Sequence, residues 1–375
     1  MSSAEPKKKA RSTNLELLRI LSMLLIVFHH YTVNSPVMQL ALVNTAGATV
    51  RPWFYILAAA WGKTAINCFV LITGYFMCTS RLTPKKFLLL LSEFVFYKLI
   101  FYFVFVGMGY EAFGISKLLK AIFPIYYLND SFIPAFFLLY LSIPFLNALL
   151  KALSQRSHFC LMALGFFVYT VLGTSRHVTV VFNYFSWFVV IYIIAAYLRL
   201  YPDSFVLFSK HITLKMILFI AMGVLSIWLG KLRSNDFKEV YYYVSDSNKI
   251  LALMISVFVF LFFKNLKFPY VKFINTVARS MFGVLLIHAN SDAMRQWLWY
   301  DTLKNAEYYT MYNSKITYIH SIGCTLAVFA ICIIIDQIRI NLLERPLFSL
   351  WDKKEAAVSD WMKRAANRMS EFIGI

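Results

Sequence analysis

The sequence predicts an all-α integral membrane protein of about ten transmembrane helices, and three observations carry that expectation. Of 375 residues, 60% are hydrophobic and only 15% charged, against about 45–50% and about 25% in soluble chains. Apolar stretches of roughly 20 residues, enough to cross a bilayer, recur along the whole length. Lys and Arg outnumber Asp and Glu by 37 to 18, and they are unevenly shared between alternate loops. In a membrane protein such an excess reports topology rather than nucleic-acid binding.

Apolar runs set against chain breakers place spans near 15–33, 53–77, 87–108, 132–150, 158–173, 183–200, 214–230, 249–264, 274–290 and 316–338. The first run follows a basic "PKKKAR" segment. It carries charged interruptions and no small-residue cleavage site, so it reads as a retained helix and not a signal peptide. In the second, Ala58 to Ala60, Asn67 and Gly74 offer a small-residue face for close helix packing. The fifth and ninth runs are short and the weakest of the ten. With the N-terminus inside, the inner segments hold about twice as many Lys and Arg as the outer ones, as cytoplasmic loops do. This expectation puts both termini in the cytoplasm. It divides the chain into a basic tail (1–13), a multi-pass domain (14–348) and a cytoplasmic tail (349–375). In that last tail Val358, Trp361, Met362, Ala365, Met369, Phe372 and Ile373 recur at helical spacing between basic residues, which suits a helix lying on an anionic leaflet. The five cysteines sit in or beside apolar runs without metal-ligand spacing, so no metal is expected.

The first span, "NLELLRILSMLLIVFHHYTV", carries groups that lipid penalises by a few kcal/mol each at the bilayer centre. At 100° and 1.5 Å per residue, His30 lies about 20° from Arg19 round the helix and roughly 16 Å along it, whereas His29 points about 80° away. Glu16 is one turn before Arg19 and can pair with it. A neutral imidazole suits a general base, and a guanidinium suits an anionic ligand such as a phosphate. Lys63, Glu93, Lys98, His288 and Asp336 are further polar groups within spans.

These residues resemble the acyltransferase 3 family of integral-membrane acyltransferases, particularly the branch acting on bacterial surface polysaccharides. The family's arginine, ten residues and histidine read here as Arg19, "ILSMLLIVFH" and His30, after an acidic-Leu-Leu-Arg lead in "NLELLR". "INCFVLITGYFM" is similar to the family's second-span segment, with Thr73 where serine is usual. "FIPAFFLLYLSIPFLN", "SMFGVLLIH" and "LLERPLF" resemble later motifs, in the expected order. Ser131, Pro134, Phe136 and Val284 depart from the family pattern, and Lys85 and Lys86 replace its arginine pair.

The resemblance implies transfer of an acyl group, usually acetyl from acetyl-CoA, to a glycan hydroxyl at the bacterial plasma membrane. His30 and Arg19 are then the catalytic candidates. Arg19, Lys85 and Lys86 are candidates for the phosphates of acetyl-CoA, and Glu16, Asn67 and His288 for contacts to substrate. Expected partners are a glycan or lipid-linked glycan, membrane lipids and polysaccharide-synthesis machinery, with no nucleic acid. The competing reading is a transporter or flippase of a lipid-linked glycan, with His30 and Arg19 lining its path.

Overall fold

The computed structural model describes residues 12–43, 50–125, 131–205 and 210–373, and among them it is helical throughout, without a β-strand. The basic "PKKKAR" segment lies outside the described residues, as do most side chains of the expected amphipathic tail. The helices that position the site are α1 (Thr13–Val33), α2 (Val50–Ala59), α3 (Gly62–Met77), α4 (Pro84–Gly107), α5 (Ile115–Ile122), α6 (Phe132–Ala152), α7 (Tyr184–Leu200), α8 (Ile212–Arg233), α9 (Ile250–Asn265), α10 (Met281–His288), α11 (Ser314–Arg339) and α12 (Arg345–Ile373).

Among the described residues six stretches are long and apolar enough to cross a membrane by length and composition: α1, α2 with α3, α4, α6, α8, and α11 with its continuation into α12. α7 and α9 are shorter apolar helices of 17 and 16 residues. The expected span at 158–173 is an α-helix, Gln155–Gly165, that widens into a π-helical segment, Phe166–Leu172. The expected span at 274–290 is broken into Lys272–Val277, a 3₁₀ turn at Ala278–Ser280, and α10. The break is stabilised from outside: Gln337 of α11 donates to Thr276 O at 3.2 Å and to Ser280 Oγ at 2.7 Å.

α1 runs through the middle, packed against α2, α3, α9, α10 and α11. Its first turn is tied down by Asn14, whose amide donates to the carbonyls of Phe263, Lys264 and Leu266 at 2.9, 3.0 and 3.2 Å. Those carbonyls stand at the C-terminal end of α9, where helical carbonyls lose their usual partners four residues on. The small-residue face of α3 meets α7. A Cβ at Gly74 would stand 2.9 Å from Ala195 Cβ, and two helical turns away Asn67 Oδ1 accepts from Trp187 Nε1 at 3.0 Å. The outer surface is apolar: Ile100, Phe103 and Val104 on α4, Leu214, Ile217 and Leu218 on α8, and Ile319, Ile331 and Ile334 on α11 are all exposed. Exposed apolar faces on this scale fit a lipid environment and not water.

Candidate functional site

α1 is one unbroken helix, so the roughly 16 Å between Arg19 and His30 holds along its axis. The two ends are built differently. At the Arg19 end a cavity of about 480 Å³ opens between α1, α3, α4, α6 and the segment leading into α10. Arg19, Lys86, Arg279, Arg339 and Arg345 line it with Glu93 and Glu344, so bases outnumber acids. Its remaining walls include Phe69, Thr73, Phe136, Tyr140 and Phe282. Arg19 is steered by Glu16, one turn earlier at 2.7 Å, and by the Phe69 ring, whose centroid is 5.8 Å away. Such a chamber accommodates a polyanion at its charged rim and an apolar stem against its aromatic walls.

Arg339 is not free to bind a ligand in the same way. Its Nε donates to Asp336 Oδ1 at 2.9 Å, one terminal nitrogen donates to Glu344 Oε2 at 2.7 Å, and the other lies 3.4 Å from Glu93 Oε1. Tyr97 Oη also donates to Asp336 Oδ1, at 2.9 Å. Two residues five apart would point about 140° from each other round an α-helix. The π-helical turn at Ile340–Glu344 widens the helix there and lets Arg339 and Glu344 meet. Arg339 therefore neutralises buried carboxylates and fastens α4 to α11.

At the other end His30 meets His288, the last residue of α10, with Nδ1 and Nε2 3.0 Å apart. His288 Nδ1 lies 2.6 Å from Val284 O. A carbonyl only accepts, so His288 Nδ1 carries the hydrogen, and in the neutral ring Nε2 is an acceptor. His30 Nδ1 must then donate to it, which leaves the lone pair of a neutral His30 on Nε2. His29 faces elsewhere, as the helical arithmetic requires. Its Nδ1 donates at 2.6 Å to Ala59 O, a carbonyl released by the turn between α2 and α3. The ring packs so closely on Gly62 that a Cβ there would fall 2.5 Å from His29 Cγ.

The other candidate residues have partners of their own within the fold. Asn67 is fully buried, its Nδ2 donating to Ser247 O at 2.7 Å and its Oδ1 accepting from Trp187 Nε1, and these bonds fix α3. His288 is 1% exposed with both ring nitrogens engaged, and it orients His30. Glu16 sits behind Arg19 and does not line the cavity. Lys85 turns away to pair with Asp352 of α12, while Lys86 does line the cavity and donates to Arg81 O at 2.9 Å. Arg279 and Arg345 complete the basic rim, and neither is among the candidates that the sequence offers. The one advance signal for Arg345 was its place inside "LLERPLF".

Comparison with known families matches residues 12–337 to the acyltransferase 3 family, described as an acyltransferase domain. No curated protein and no solved structure matches the chain. The match spans most of the sequence, and the chain belongs to this family of membrane acyltransferases.

Proposed function

We propose that this member of the acyltransferase 3 family is an acetyl-CoA-dependent O-acetyltransferase of the bacterial plasma membrane, acting on a hydroxyl of a cell-surface glycan or its precursor. The observation that carries the reading is the relay Val284 O, His288, His30, which leaves His30 Nε2 as an acceptor of protons. In this reading the Arg19 end faces the cytoplasm, where acetyl-CoA is made, as the loop charges support. Arg19, Lys86, Arg279 and Arg345 hold the phosphates of the donor, and the long thin pantetheine arm points its thioester toward His30.

His30 Nε2 takes the proton from the acceptor hydroxyl as its oxygen bonds to the thioester carbonyl carbon. Collapse of the tetrahedral intermediate breaks the carbon–sulfur bond, and the leaving thiolate takes back the proton from His30. No metal enters these steps. As His30 becomes cationic, His288 continues to accept from its Nδ1, so the ring does not turn. The family match favours acyl transfer over the transporter reading. The test is purified protein in nanodiscs with labelled acetyl-CoA and a mixed glycan acceptor: wild type transfers label, and His30→Ala does not. Transfer by His30→Ala at the wild-type rate would overturn the mechanism.

A further inference from the structure

At its histidine end α1 also forms the wall of a smaller cavity, of about 240 Å³, which shares no residue with the Arg19 cavity. His29 and Val33, one turn apart on α1, line it with Lys63 of α3 and with Phe237, Tyr241 and Ser245 from the segment between α8 and α9. Asn14 ties the end of α9 to the start of α1, and the 16 residues of α9 rise roughly 24 Å. The segment before α9 therefore stands toward the His30 end of α1. There the ring centroids of His29 and His30 are 5.7 Å apart, a gap of about one sugar ring.

The walls are fastened from several sides. Tyr241 is buried, and its Oη donates to Ile56 O of α2 at 2.7 Å. The Phe237 ring packs on it, with centroids 4.7 Å apart. Asn67 holds Ser247 O, two residues past Ser245. The polar groups of the lining are few and placed. His29 gives its Nδ1 hydrogen to Ala59 O, so in the neutral ring Nε2 is an acceptor, and among the described residues it makes no hydrogen bond. Lys63 Nζ donates to Tyr184 Oη at 2.6 Å, which steadies the lysine beside the cavity. The Ser245 hydroxyl has Tyr242 O and Asp246 Oδ2 near it, each at 3.5 Å, well beyond the usual O–H···O range. A few polar groups set on aromatic and aliphatic walls suit a ring with hydroxyls on its edge and C–H groups on its faces. A lipid chain would dry the same polar atoms and replace none of their hydrogen bonds.

We propose that this cavity binds one pyranose ring of the acyl acceptor, with His29 Nε2 accepting from one ring hydroxyl while a neighbouring hydroxyl is presented to His30. Its volume is below the ~300–1,000 Å³ of drug-sized sites, which limits the fit to a single ring. His29 is then a binding group and not the base, so its loss raises the KM for acceptor without abolishing turnover. The inference rests on the acyltransfer reading for its role, and its binding site can be tested without turnover. Four forms are prepared in nanodiscs: wild type, Ser245→Trp to fill the cavity, Phe237→Leu to thin its aromatic wall, and Arg345→Gln in the donor cavity. Binding of coenzyme A and of the methyl glycosides of glucose, galactose, mannose, N-acetylglucosamine and glucuronic acid is measured on each by saturation-transfer NMR.

The expected result is that wild type binds at least one glycoside. Ser245→Trp weakens that binding about tenfold or more, and Phe237→Leu weakens it several-fold; both keep coenzyme A. Phe237 lies at the surface, 36% exposed, so its variant gives a reading even where the bulkier tryptophan disturbs folding. Arg345→Gln keeps the glycoside and weakens coenzyme A. Binding of no glycoside by folded wild type, or an unchanged affinity in both cavity variants, overturns the sugar site whatever coenzyme A does. A lipid chain seated in the cavity of nanodisc-bound wild type, and not displaced by any glycoside, also overturns it. Failure of coenzyme A to bind any form, with glycoside binding intact and sensitive to the cavity variants, would remove the donor reading and leave the sugar site standing.

Discussion

The two ends of α1 solve opposite problems with the same kind of material. At the Arg19 end charges surround an opening of about 480 Å³, and most of them reach solvent. At the His30 end the histidines are fixed by hydrogen bonds to each other and to backbone carbonyls. Many mobile cations hold an anion well but define no proton position. Two locked imidazoles define a proton position but hold little. The difference separates affinity from chemistry, and it should appear as a split between KM and kcat.

Removing the base should have the largest effect. His30→Ala is expected to lower kcat by about 10²–10⁴-fold, the usual range for a positioned proton acceptor, with unchanged coenzyme A binding. His288→Ala leaves His30 present but unoriented; a loss of about 10–100-fold in kcat is expected, read from the same turnover assay. At the other end Arg345→Gln should raise KM for acetyl-CoA several-fold with little change in kcat, and the effect should shrink in high salt. A fall in kcat alone would mean that the Arg19 cavity takes part in the chemistry, and the division between the ends would fail.

Charge also has a structural use at the Arg19 end. Arg339→Leu would strand Glu93 and Asp336 without their cation, and loss of a buried partner costs about 3–5 kcal/mol. Thermal unfolding in detergent should register a large drop. Gly283→Ala is expected to do less harm, about 1–3 kcal/mol, by driving a methyl group to 2.4 Å from Asp336 Oδ1. An unaltered melting temperature for Arg339→Leu would mean that the carboxylates find water or protons instead.

What was legible in the sequence was what a single helix determines. The 100° step separates His29 from His30, and the three-residue spacing joins Glu16 to Arg19; both follow from α1 alone. The small-residue face of the second span was readable for the same reason, although its asparagine proved to serve packing. What escaped was made by distant segments. His30 and His288 are 258 positions apart. The break at Ala278–Ser280 is held by Gln337 from another helix. Arg345 follows a π-helical turn that no periodicity announces. Apolar length alone also does not show where a helix breaks, because a run such as 274–290 stays apolar whether or not its helix is continuous.

The central claim is that His30, and not its neighbour, carries the proton. The most direct measurement is release of coenzyme A and uptake of label from acetyl-CoA by wild type, His29→Ala and His30→Ala in nanodiscs, with folding checked by thermal unfolding. The expected result is turnover by wild type and His29→Ala and none by a folded His30→Ala. Turnover by folded His30→Ala together with an inactive, folded His29→Ala would contradict it, and would move the chemistry to a different face of α1.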